Sequence, residues 1–136
     1  MRTGKNRKLQ RGFTLLELMV VMAIILILLG MAAVKYQRSV LTAREAVLKT
    51  NLRAINDAIE HYTMDKLAAP QSLNDLLKDY LHGNELPIDP ITQKADWVPE
   101  MDDVYISPDQ TSNGITGVHS ASQAISPTTN TPYSSW

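Results

Sequence analysis

The chain has 136 residues, a formal net charge of −1 and no cysteine. That length supports one small domain with a modest core, and the missing thiols exclude disulfide staples and thiol chemistry. The charge is unevenly spread: residues 35–136 hold 8 Lys and Arg against 13 Asp and Glu, a net of −5, which speaks against nucleic acid as the main partner.

The first twelve residues carry Arg2, Lys5, Arg7, Lys8 and Arg11 and no acid. From Phe13 to Val34 there follow 22 residues with a single charge, Glu17, and residues 18–34 carry no polar side chain. At about 1.5 Å of rise per residue such a helix spans about 33 Å, enough to cross a bilayer core of about 30 Å. The basic leader holds the N-terminus in the cytoplasm, so everything beyond about Lys35 is expected on the far side. An ordinary secretory signal has a shorter apolar stretch closed by a small-residue cleavage site, and no such break follows here. A plain anchor leaves Glu17 unexplained, because a carboxylate in an apolar span is costly unless a positive group pairs with it. Cutting the chain after Gly12 creates such a group, the amine of Phe13.

The run Arg11-Gly12-Phe13-Thr14-Leu15-Leu16-Glu17, leading into that apolar helix, resembles the N-terminal signature of the type IV pilin and pseudopilin superfamily. The resemblance implies that a prepilin peptidase cuts between Gly12 and Phe13 and N-methylates Phe13. It also implies that Glu17 pairs with the Phe13 amine of a neighbouring subunit during assembly. Two opposite charges buried together are tolerable where either alone is not. Many members carry a proline near the end of the apolar segment. Val34 stands there in this chain, so only Gly30 weakens the helix, by about 1 kcal/mol relative to alanine.

Beyond the apolar segment, Leu41, Leu48, Leu52, Ile55, Ile59 and Tyr62 form one apolar stripe at helical spacing. The stripe from Leu48 to Tyr62 is expected to face a small sheet of the same chain. Glu45 with Lys49 and Arg53 with Asp57 read as i,i+4 pairs on the polar side. Pro70 stops the helix, which is expected to end near Lys66. Ser72 with Asp75 reads as a capping box opening a second helix, with Leu73, Leu76, Leu77, Tyr80 and Leu81 as its apolar face and Gly83 at its end. Glu85-Leu86-Pro87-Ile88-Asp89-Pro90-Ile91-Thr92 holds two prolines and reads as an ordered connector.

The remainder reads as short strands. Residues 96–98 and 104–106 flank a five-residue loop, 99–103, and Ile115 and Val118 supply a third strand within 114–122. The composition of residues 126–136 permits disorder, yet Tyr133 and Trp136 read as anchors that dock it. The Leu86-Pro87-Ile88-Asp89-Pro90 turn after a short helix, followed by a Trp-containing hairpin, resembles the G-type major pseudopilins of type II secretion systems. That likeness implies a long helix packed on a small three-stranded antiparallel sheet and subunits stacking into a short periplasmic filament that drives folded proteins through an outer-membrane channel.

G-type pseudopilins typically bind calcium in an acidic C-terminal loop, and oxygen ligands suit that ion. From Gln110 to Trp136 this chain has no Asp or Glu, which leaves Asp102, Asp103 and Asp109 as candidates. Two adjacent acids are more often a solvated turn than a site. His61, His82 and His119 are dispersed, and no nucleophile elbow or phosphate loop occurs, so no enzyme is expected.

The sequence therefore predicts an α+β fold: a long N-terminal helix, one short helix and about three antiparallel strands. Its expected parts are a cleaved leader, residues 1–12, a membrane and assembly segment, 13–34, and a periplasmic domain, 35–136, of a single-pass bacterial inner-membrane protein. The expected function is polymerisation into a type II secretion pseudopilus, with the prepilin peptidase, minor pseudopilins and an inner-membrane assembly platform as partners. The alternatives are a type IV pilin of a surface pilus, from which the lack of a cysteine pair leans away, and a membrane-anchored periplasmic binding module that never polymerises.

Overall fold

The computed structural model describes residues 12–83, 85–107 and 110–136; the leader up to residue 11 lies outside them. Helix α1 runs without interruption over Leu15–Lys66, 52 residues, passing through Gly30 and Val34. It stops where expected, and Leu67 takes the left-handed conformation (φ 51°) that closes many helices, before the chain turns into Ala69 and Pro70. The chain divides into two compact units, one ending at Ser39 and the other Val40–Trp136.

In the first unit every apolar side chain from Leu15 to Val34 is exposed. The second unit holds the core. Leu48, Leu52, Ile55, Ala58 and Ile59 of α1 are buried against Leu76, Trp97, Ile115, Val118 and Tyr133. The amphipathic stripe thus packs on a sheet of its own chain.

That sheet has two strands, β1 (Val98–Ser107) and β2 (Gln110–His119), paired antiparallel. Here the structure corrects the sequence reading. Residues 99–103, read as a hairpin loop, lie inside β1, and the segment read as a third strand is the partner of β1. A β-bulge sets the face of β2. Glu100 pairs with Gly117 and Met101 with Ile115, leaving Thr116 as the extra residue. Alternation would send Ile115 and Val118, three apart, to opposite faces; the inserted residue lets both reach the core.

The other side of β2 is lined by the segment after α1. The Ile115 N–H donates to the Pro70 carbonyl at 2.8 Å, and the Ala69 N–H donates to Ser112 Oγ at 2.7 Å. The approach is close enough to require glycine: a Cβ on Gly114 would lie 2.7 Å from the Ala69 Cβ. The capping box is formed, with Ser72 Oγ accepting the Asn74 N–H and Asp75 Oδ2 accepting the Ser72 N–H. The helix it opens is a single 3-10 turn, Leu73–Leu76, followed by irregular turns and not by the regular helix expected to Leu81.

Two buried carboxylates fasten the connectors. Asp89, fully buried, accepts the N–H groups of Ile91 (2.7 Å) and Thr92 (3.3 Å) on Oδ1 and the Ser120 hydroxyl on Oδ2 at 2.5 Å. Beside it, the Trp97 indole donates to the Pro87 carbonyl and Asn51 donates to the Ile88 carbonyl, so the two-proline connector is tied to both α1 and the strands. Glu45, expected on the polar side of α1 with Lys49, is 3% exposed, and its Oε1 accepts the hydroxyls of Ser126 (2.6 Å) and Tyr133 (2.8 Å). Lys49 lies over the Trp136 ring, 4.5 Å from its centre, and Tyr133 and Trp136 meet edge to face. The anchors expected in the Ser- and Thr-rich tail therefore dock on α1.

Candidate processing and assembly site

Gly12, Phe13 and Thr14 precede the helix in irregular conformation, and all three are exposed. Thr14 caps the helix. Its Oγ1 accepts the Glu17 N–H at 3.2 Å, and its carbonyl accepts the Leu18 N–H. Glu17 joins this cap through its backbone, leaving the carboxylate to face outward in the first turn, where negative charge suits the helix N-terminus. Phe13 and Glu17 are thereby held one helical turn apart at the head of the apolar segment.

Sequence reading singled out Gly12, Phe13 and Glu17 but passed over Thr14. The signal was there: Thr14-Leu15-Leu16-Glu17 has the spacing of a capping box just ahead of an apolar run. The cap fixes where the helix begins and places Glu17 in its first turn.

Two of the calcium candidates, Asp102 and Asp103, do not converge on a common point. Asp102 and Asp103 are consecutive residues of β1, opposite Gly114 and Asn113, so their side chains leave opposite faces of the sheet. Both are exposed, and Asp102 Oδ1 accepts the Asp103 N–H at 2.8 Å. Asp109 lies outside the described residues. Among the described residues no group of three His, Cys, Asp or Glu is placed to hold an ion. His61 and His82, dispersed in sequence, line one shallow cavity of about 370 Å³ with Asp57 and Glu85, while His119 sits on β2.

The Glu45 carboxyl and the Tyr133 phenol, which share a hydrogen bond, are both perturbed. Burial alone pushes the Glu45 carboxyl up, but the hydroxyls of Ser126, Thr128 and Tyr133 and the charge of Lys49 together hold it below its ordinary value. Burial, then the bond to Glu45, pushes the Tyr133 phenol up. These groups fasten the tail to α1 and lie apart from Gly12, Phe13 and Glu17 in sequence.

Among the described residues one helix, α1, is long and apolar enough to cross a membrane. No match was found to a curated protein or to a solved structure. Residues 7–33 match the family model described as a prokaryotic N-terminal methylation motif, the prepilin-type signal of type IV pilin-like proteins. That match points to a structural subunit and not to an enzyme, and it is consistent with prepilin peptidase processing, N-methylation and a single membrane-anchoring helix. With a long N-terminal helix leading into a small α+β domain, the motif supports the pilin and pseudopilin superfamily for this chain.

Proposed function

We propose that the chain is the repeating subunit of a type II secretion pseudopilus. Residues 1–12 are removed by a prepilin peptidase, Phe13 is N-methylated, residues 13–34 span the bacterial inner membrane, and residues 35–136 form the periplasmic domain. The observation that carries this reading is Glu17, a lone outward carboxylate at the head of the otherwise apolar first part of α1, to Val34, five residues after Gly12. Such a charge is tolerated in an apolar bundle when paired, and the Phe13 amine of an adjacent copy is the partner at hand. Subunits leave the membrane into a helical filament whose centre is their bundled apolar helices, a head-to-tail contact that does not close into a ring. Minor pseudopilins and an inner-membrane platform complete the assembly.

The Leu86–Pro90 connector favours the secretion role over a surface pilus, through its likeness to G-type pseudopilins. The test compares the extracellular proteins of a strain lacking this gene with those of a complemented strain. Retention of specific proteins in the periplasm supports the pseudopilus. Unchanged export with loss of surface fibres turns the assignment to a type IV pilus. A mature protein that keeps residues 1–12 removes both and leaves a membrane-anchored module.

A further inference from the structure

We propose that the free edge of β1, with the groove it forms against α1, takes an extended segment of another protein as an added strand. The segment that fits is apolar at every second position and carries Lys or Arg between. This docking goes beyond polymerisation through the apolar helix and does not rest on it.

The sheet stops at two strands, so the outer side of β1 has no strand partner among the described residues. The chain's own tail does not fill the place. Ser126 and Tyr133 dock on Glu45 and Trp136 on Lys49, about three to four turns from Glu60 toward the start of α1. Between β1 and α1 lies a groove of about 610 Å³, within the range of ligand clefts, about 300–1,000 Å³. Ile59 and Met64 of α1 and Val104 and Ile106 of β1 line it. Val104 and Ile106 are half-buried while Tyr105 between them is exposed, the alternation of a strand with one covered face. Met64 and Leu67 remain exposed at the groove, apolar surface left uncovered by the described residues.

Charge complementarity selects the occupant. Asp57 and Glu60 line the groove on α1, and Asp102 and Asp103 stand exposed just before Val104. Among the described residues that line the groove there is no Lys, Arg or His. Residues 35–136 carry a net charge of −5, which disfavours a strand from a second copy and favours a basic segment. Side chains on one face of a strand recur about every 7 Å, so alternate apolar side chains of an added strand enter the groove. The intervening positions lie on the side of Asp103 and Tyr105, where a Lys or Arg finds a carboxylate and an aromatic ring. A further cation at the end of the segment suits Asp57 and Glu60 on the α1 wall. Backbone hydrogen bonds to the β1 edge supply affinity and the groove supplies side-chain selectivity. The exposed charge pairs add little affinity and act by choosing among partners.

The test titrates the full chain, held in nanodiscs of zwitterionic phosphatidylcholine, with capped peptides in which lysine alternates with valine, leucine or phenylalanine. Peptides of the same composition with the lysines clustered at one end serve as the comparison. At least one alternating peptide is expected to bind with a micromolar Kd, about tenfold tighter than its clustered counterpart, and to slow backbone hydrogen exchange within residues 104–106. Glu60→Lys and Met64→Asn, both at exposed positions of α1, are each expected to weaken that binding about fivefold. Equal binding of alternating and clustered peptides, or binding without slowed exchange at 104–106, overturns the added strand and leaves only attraction between opposite charges. Failure of all three alternating peptides up to about 1 mM overturns it as well. Concentration-dependent slowing at 104–106 in the chain alone makes the occupant a second copy and overturns the foreign strand.

Discussion

Tyr133 donates its hydroxyl hydrogen to Glu45 Oε1 over 2.8 Å, joining residues 88 apart in the chain. Ser126 donates to the same oxygen, so one buried carboxylate closes the tail onto the middle of α1. Its removal leaves two hydroxyls without their acceptor. Glu45→Ala is expected to destabilise the domain by about 2–3 kcal/mol and Tyr133→Phe by about 1–2 kcal/mol, with a double variant less costly than the sum. Thermal unfolding of the full chain in detergent micelles measures all three.

The same pair predicts two pH limits. Glu45 has a folded pKa below its unfolded value near 4.5, so its contribution is fully present above that pH and fades as the pH falls through the lower folded value. Tyr133 has a folded pKa above its unfolded value near 10, so its contribution is present below that pH and is lost as the pH rises through the folded value. Midpoint temperatures measured from pH 3 to 11 should therefore fall at both ends, and Glu45→Gln should flatten the acidic arm.

Gly114→Ala tests the close approach of β2 to the segment after α1. The new methyl would stand 2.7 Å from the Ala69 Cβ and 2.8 Å from the Pro70 carbonyl oxygen, and the Ile115-to-Pro70 hydrogen bond must give way. A loss of about 1–3 kcal/mol is expected, read as a lower urea midpoint. An unchanged midpoint would show that the loop moves aside freely.

Much of this was legible locally. The apolar stripe, the end of α1 and the capping box at Ser72 are each specified by residues a few positions apart. What escaped depends on distant partners. The burial of Glu45 is not legible locally because the hydroxyls that donate to it lie 81 and 88 residues downstream. Pro99, Asp102 and Asp103 looked like a loop because such residues are poor in central strands, yet an edge strand tolerates them. The bulge at Thr116 carries no sequence mark, and without it Ile115 and Val118 cannot share a face. Gly12, Phe13 and Glu17 stand close together at the head of α1, and the cap that Thr14 makes there came from the structure.

Thr14 and Glu17 should separate by function. Glu17→Ala is expected to insert into the membrane and be processed normally, yet to give no filaments. Thr14→Ala removes the cap, at about 1 kcal/mol, and is expected to slow assembly without abolishing it. Membrane fractionation and filament counts distinguish the two; normal filament yield from Glu17→Ala would remove that carboxylate from the assembly step.

Calcium supplies a further check. Because Asp102 and Asp103 point to opposite faces of β1, adding a chelator to the purified chain should leave its unfolding temperature where it was. A drop of several degrees would require a site built with residues such as Asp109.

The outer edge of β1 has no strand partner among the described residues, and it is defended by Pro99, which lacks an N–H, and by the paired charges of Asp102 and Asp103. Any chain gathered at high local density beside its own copies risks a second, unwanted mode of growth, strand upon strand. Here Tyr105 and Met101 are exposed on that same strand, so the apolar inducement is present. The proline and the two acids guard that edge against amyloid-like stacking.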